Sequence, residues 1–226
     1  MLDKNQTFGG DKKTNHFSLL AKPEKKFVNW VTPKVPGWLR SHHLTYTTIL
    51  WSLAIIISGF LAKKDLNWLW LTSVMIFMQW LTDSLDGSVG RYRKEGLVKW
   101  GYYMDHFLDY IFLCSILIGY SFFMNDMFNS LFFILAIFGA FMVNSYLSFS
   151  ATNKFTITYL GFGPTEARLL FIIINTLLVI FGKTYLHQFL PYILIFSLLG
   201  LIVVVNRTQK QIWEEDMKIK ETTKNI

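Results

Sequence analysis

The chain has 226 residues, 52% of them hydrophobic and 17% aromatic, with a single cysteine and a formal net charge of +7. Its mean hydropathy of +0.34 and an apolar share above the roughly 45–50% of soluble domains exclude an ordinary water-soluble globule. The lone Cys114 excludes an intramolecular disulfide, and the basic residues form no aromatic-interleaved face, which argues against nucleic acid as a partner.

In chain order, Met1–Leu20 is polar and lacks an apolar run behind a basic start, so no cleavable signal peptide is expected. From Lys22 to Arg40 basic residues mix with Phe27, Val28, Trp30, Val31, Trp38 and Leu39, the pattern of an amphipathic segment lying along the membrane surface. Pro33 and Pro36 are expected to break it.

Six apolar windows follow: Leu44–Ala62, Leu66–Thr82, Tyr102–Met124, Asn129–Ser148, Glu166–Phe181 and Leu186–Asn206. Each approaches the roughly 20 residues that cross about 30 Å of hydrocarbon at 1.5 Å per residue. The runs are continuous and do not alternate, so helices satisfy their backbone groups where a barrel would not form. The expected fold is all-α, a polytopic six-transmembrane-helix bundle. Its parts are a cytoplasmic and membrane-surface segment (1–43), the bundle (44–206) and a charged cytoplasmic tail or solvated helix (207–226).

Nineteen of the 22 Lys and Arg residues flank one side of these windows, and only Lys63, Lys64 and Lys183 flank the other. The positive-inside rule then places both termini in the cytoplasm and requires an even number of spans. No internal repeat is visible, so the duplicated halves of many transporters lack support.

The chemistry concentrates in Thr82–Tyr110, which reads TDSLDGSVGRYRKEGLVKWGYYMDHFLDY. Asp83 and Asp86 are three residues apart and Asp105 and Asp109 four apart, so on helices each pair shares a face. Four carboxylates at a membrane edge repel one another unless neutralised, and hard oxygen ligands without His or Cys favour Mg²⁺ or Mn²⁺, with a pair of such ions suited to a diphosphate. Gly87 and Gly90 permit close backbone approach, and Arg91 offers a planar fork of donors to phosphate oxygens.

The string Asp83-x2-Asp86-Gly87-x2-Gly90-Arg91-x9-Gly101-x3-Asp105-x3-Asp109 resembles the signature of the CDP-alcohol phosphotransferase family, with Gly90 where that family usually has Ala. The resemblance implies a six-span enzyme of phospholipid synthesis that moves a phospho-alcohol group from a CDP-alcohol donor to a lipid or small alcohol acceptor, releasing CMP. It implies Asp83, Asp86, Asp105 and Asp109 as metal ligands and Asp109 also as general base. Gly87, Arg91 and Gly101 would cradle CDP, Thr45 would lie near the donor, and the acceptor lipid would enter from the bilayer. A homodimer is compatible with that family.

Weaker signals carry two readings each. His42 and His43 with Thr45 form either a polar helix start capped by Ser41 or Thr45, or part of the donor site. His106 neighbours Asp105 in an Asp-His-x2-Asp string similar to choline and ethanolamine phosphotransferases, yet one helical step turns it about 100° away, toward a flanking helix. In Gly161–Arg168, Pro164 and Glu166 suit a helix N-terminus, while Glu166 and Arg168 also lie at the depth of the aspartates. Asn144 and Asn175 are expected in interhelical hydrogen bonds, Phe132–Phe141 in packing or lipid contact, and Cys114 as a buried small hydrophobe.

The Asp-His string and Gly163-Pro164-Thr165-Glu166, which also looks like the choline and ethanolamine phosphotransferases, favour CDP-ethanolamine or CDP-choline with a lipid alcohol. CDP-diacylglycerol with a small polar alcohol is the alternative. Prenyl transfer would call for a second acidic motif, which the other windows lack, and a cation-binding membrane protein without turnover is the remaining reading.

Overall fold

The computed structural model describes residues 20–154 and 163–224. Residues 1–19, 155–162 and 225–226 lie outside it. With them go the leader reading of the N-terminus and Gly161–Phe162 of the Gly-Pro-Thr-Glu segment. Among the described residues every element is helical.

A surface helix α1 (Ala21–Val31) ends two residues before Pro33, and a 3₁₀ turn at Thr32–Lys34 leads into an extended approach to α2 (Ser41–Ala62). Val28 is buried, while Trp30 is 62% exposed. Phe27 stacks on Trp80 at 5.9 Å, so α1 is amphipathic and seated on the helix that carries Trp80. That helix is α3 (Leu69–Arg93), followed by α4 (Val98–Ser121), α5 (Phe128–Thr152), α6 (Pro164–Phe181) and α7 (Thr184–Lys224).

Two of the expected boundaries move. The second window does not end at Thr82 nor the third begin at Tyr102: α3 runs to Arg93 and α4 starts at Val98. Polarity does not stop a helix whose backbone bonds are internal. The break comes where Lys94 and Gly96 take positive φ of 55° and 75°, which closes the turn. Both aspartate pairs therefore lie within helices. In the same way α7 continues past Asn206 as one helix through the charged stretch, with Pro191 inside its first turns.

By length and apolar composition four helices can cross a membrane: α2, α5, α6 and the Gln188–Thr223 part of α7. The chain is thus an integral membrane protein. Charged and polar residues dilute α3 and α4, yet their 25 and 24 residues extend about 36–38 Å.

Helix α2 is the centre of the bundle, packed against both α3 and α4, with α6 on α3, α5 on α4 and α7 on α5. Where α2 crosses α4 the backbones touch: a Cβ on Gly59 would fall 2.4 Å from the Cα of Gly119. Small residues permit this approach, the usual basis of helix association in lipid. Ile55, Leu69, Ile76, Ile116, Met124 and Leu178 fill the interior. A smaller cluster of Val28, Leu44, Leu85 and Val89 packs beneath α1.

Buried polar groups tie the helices laterally. The Ser58 and Thr72 hydroxyls lie 2.7 Å apart, and the Trp51 indole N–H donates to Thr82 Oγ1 at 3.2 Å. Tyr120 donates to Asn175 Oδ1 at 2.6 Å, and Asn175 Nδ2 donates to Ser73 Oγ at 3.1 Å. Asn144 Nδ2 reaches Thr208 Oγ1 at 3.4 Å. Both intramembrane asparagines thus bond between helices. Outward-facing Phe132, Phe133 and Phe196 are more than half exposed, a surface suited to lipid. Cys114 is half-buried in α4 and free.

Candidate active site

The Lys94–Leu97 turn joins the end of α3 to the start of α4, and α2, which packs against both, holds them so that their carboxylates converge. Asp83, Asp105 and Asp109 each offer a carboxylate oxygen, and these oxygens all lie within 4.8 Å of one another. All three residues are half-buried. Such a set carries up to three negative charges in a poorly hydrated place and consists entirely of hard oxygen donors. It could hold a divalent cation and is ill-suited to zinc.

Asp86 stands apart from this trio. Three residues on from Asp83 it is turned about 60° around the helix, toward α2, where it is 8% exposed. Thr45 Oγ1 donates to its Oδ2 at 2.6 Å, and the Gly87 N–H donates to its Oδ1. The Thr45 hydroxyl has one proton, so its longer contact to Ser41 O, 3.2 Å, is the weaker alternative. Thr45 thus touches an aspartate and orients it.

Helix α6 supplies a cation. Arg168, only 7% exposed, donates from Nη2 to Asp83 Oδ2 at 3.0 Å and to Asp109 Oδ1 at 2.8 Å. Gln79, one turn before Asp83 on α3, directs Nε2 at Asp109 Oδ1 over 3.4 Å. His106 Nδ1 is 3.1 Å from Asp105 Oδ2. Its ring lies 4.3 Å from that of Tyr102 and 5.6 Å from that of Tyr146 on α5, and Tyr146 donates to the His106 carbonyl at 3.1 Å. His106 therefore faces the flanking helix and still touches Asp105.

The glycines differ in what they permit. A Cβ on Gly87 would stand 3.3 Å from Arg91 Nη1, so this glycine makes room for the exposed guanidinium. At Gly90 a Cβ would meet Ser41 Cβ at 3.3 Å, which gives the Gly-for-Ala departure a local reason: α2 passes tightly here. Around Gly101 there is open space.

The mouth of the site is braced by residues that the spacing did not single out. Ser41 donates from both N and Oγ to Glu95 Oε2, at 3.1 and 2.7 Å. Arg93 donates to the carbonyls of Leu39, Val35 and Pro36. Neither Ser41 nor Thr45 caps α2 as expected, because their hydroxyls are engaged with Glu95 and Asp86; His43 Nδ1 accepts from the Arg40 N–H instead, at 3.2 Å. His42 lies edge-on to Trp100 at 6.4 Å. On α1, Glu24 accepts from Ser84 at 3.1 Å and from Thr165 at 2.9 Å, joining α3 to α6. Glu166 accepts from the Gly163 and Leu20 N–H groups, closing the start of α6. Of the pair Glu166 and Arg168, one caps a helix and the other enters the acidic cluster. Gln79 could have been found from sequence, since it lies four residues before Asp83 on one face. Glu24 had no such signal.

No curated protein matches this chain. The family model described as CDP-alcohol phosphatidyltransferase matches residues 38–205, three-quarters of the chain, from the approach to α2 into α7. With that match spanning both aspartate pairs and the helices that hold them, the chain belongs to the CDP-alcohol phosphatidyltransferase family, whose members are phosphotransferase enzymes acting on CDP-alcohols in membranes.

Proposed function

We propose that this enzyme moves phosphoethanolamine or phosphocholine from its CDP derivative to a lipid hydroxyl and releases CMP. Six spans, α2 to α7, would place the site at the cytoplasmic membrane edge, consistent with the basic residues of the α3–α4 turn. The observation that carries the reading is the meeting of two acidic helix ends, with oxygens of Asp83, Asp105 and Asp109 within 4.8 Å. The donor preference rests on Asp105-His106 in α4 and Pro164-Thr165-Glu166 at the start of α6.

Asp83, Asp86, Asp105 and Asp109 would hold Mg²⁺ or Mn²⁺, most simply as a pair, with Thr45 fixing Asp86. Bound there, the ions would neutralise the pyrophosphate and make CMP a better leaving group. Gly87, Arg91 and Gly101 would line the nucleotide's path, with Arg91 donating to phosphate oxygens. Asp109, approached by Gln79, would accept the acceptor hydroxyl's proton. The hydroxyl oxygen would then form its bond to the phosphorus bearing the alcohol while the bond to CMP breaks and CMP departs with that electron pair. Holding these groups in line supplies much of the acceleration in such transfers.

Purified protein incubated with Mg²⁺, lipid extract and each CDP-alcohol in turn tests this by CMP and product-lipid release. CMP formation with CDP-ethanolamine or CDP-choline supports the donor assignment. Turnover only with CDP-diacylglycerol and a small polar alcohol refutes that assignment and keeps the reaction class, whereas cation binding without CMP from any donor refutes the enzymatic reading. Asp109→Asn should keep the cation and lose turnover; full turnover removes the base.

A further inference from the structure

The geometry points to Arg168 as a built-in counter-ion that partly neutralises the acidic cluster until a divalent cation displaces it, and thereby weakens and gates cation binding. This rests on the reading that the aspartates hold such a cation. A single nitrogen, Nη2, contacts Asp83 Oδ2 at 3.0 Å and Asp109 Oδ1 at 2.8 Å. These two residues belong to the trio whose oxygens cluster within 4.8 Å. A Mg²⁺ or Mn²⁺ ion ligated by the same carboxylates would sit about 2.0–2.2 Å from their oxygens. Guanidinium and metal would thus compete for the same two carboxylates, and two cations held against one carboxylate pair repel at close range. Metal entry therefore requires Arg168 to shift.

Nothing in helix α6 itself calls for an arginine here. Arg168 is the fifth residue of α6, near the end at which the helix dipole disfavours positive charge. It is 7% exposed, and burying an arginine is costly without anionic partners. Those partners lie on α3 and α4, not on α6. A further anion stands on this side of the site: Glu24 of α1 also acts favourably on the guanidinium. Glu24 is anchored by Ser84, next to Asp83, and by Thr165, three residues before Arg168. As the ion arrives, Arg168 would turn from the aspartates toward Glu24.

The test measures Mn²⁺ directly. Full-length protein in detergent is stripped of metal, and free Mn²⁺ is followed by electron paramagnetic resonance for wild type, Arg168→Gln and Arg168→Lys. Metal-free melting is recorded alongside. Arg168→Gln is expected to bind Mn²⁺ at least tenfold tighter while melting lower without metal, the melting deficit shrinking at saturating Mn²⁺. Arg168→Lys should fall between. Unchanged or weaker Mn²⁺ affinity in Arg168→Gln overturns the counter-ion role. If Arg168→Gln is stable only with Mn²⁺, chelator titration replaces the binding curve: release at lower free Mn²⁺ than wild type supports the role, and equal or earlier release overturns it. Absence of Mn²⁺ binding to wild type sinks the metal site itself, a result distinct from wild-type binding with an unaltered variant.

Discussion

Replacing Gly59 with alanine inserts a methyl group where α2 and α4 already touch. Its Cβ would lie 2.4 Å from Gly119 Cα and 2.7 Å from the Gly119 carbonyl carbon and oxygen, whereas non-bonded carbons rest about 3.5–4.0 Å apart. The obstacle is backbone, so no side chain can swing aside. The two helices must part by about 1 Å, loosening Ile55 and Ile116 between them. Overpacking of this kind costs about 1–3 kcal/mol, and a rigid neighbour places it near or above the upper end. At about 3 kcal/mol, the melting temperature of a chain this size falls by about 6–12 °C. Two other glycines calibrate the effect. A Cβ on Gly119 meets Ile55 O at 3.2 Å, and one on Gly139 meets only Tyr110 Cε2 at 3.8 Å. Gly119→Ala should therefore lose about 1 kcal/mol, and Gly139→Ala nothing, with a slight gain from helix propensity. The eight tryptophans allow all three to be followed by intrinsic fluorescence in one detergent. A Gly59→Ala protein melting within about 1 °C of wild type, or no lower than Gly139→Ala, would refute the backbone contact.

Other outcomes follow from single contacts. Asn175→Leu strands the fully buried Tyr120 hydroxyl and should cost about 1–3 kcal/mol; adding Tyr120→Phe should restore a large share, and additive losses in thermal melts would argue against the bond. Thr45→Val removes the donor to Asp86 and should weaken Mn²⁺ binding about tenfold or more, whereas Thr45→Ser should keep it; equal affinities would show that Asp86 needs no such orientation. Burial pulls the Glu95 carboxyl up, but the Ser41 hydrogen bonds and the Arg93 and His42 charges outweigh it and hold it below its ordinary value. Its contribution to stability is thus present above the unfolded carboxyl value and lost as pH falls through the lower folded one. Glu95→Gln should melt below wild type at neutral pH, and the gap should close below about pH 4; a gap that persists in acid would assign the loss to something other than the charge.

The aspartates were legible in the sequence because helix geometry is local. Spacings of three and four within Thr82–Tyr110 put each pair on one face whatever the rest of the chain does. The helical class was legible for a similar reason, since continuous apolar runs in lipid leave the backbone one way to bond itself. The polarity that marked the motif misled about where helices stop: α3 and α4 run through it, and the turn is set by the positive φ of Lys94 and Gly96.

The apolar runs and the acidic spacing by themselves determined a membrane-embedded helical bundle with carboxylates gathered at one edge. Only the tertiary structure decided how those carboxylates divide. The 60° between Asp83 and Asp86 turns one toward α6 and the other toward α2, a difference without meaning until the neighbouring helices are in place. Arg168 enters from 59 residues beyond Asp109, and Thr45 reaches Asp86 across 41 residues. Such long-range partners depend on which helices pack together and at what rotation, which the tight α2–α4 crossing and the seating of α6 on α3 establish.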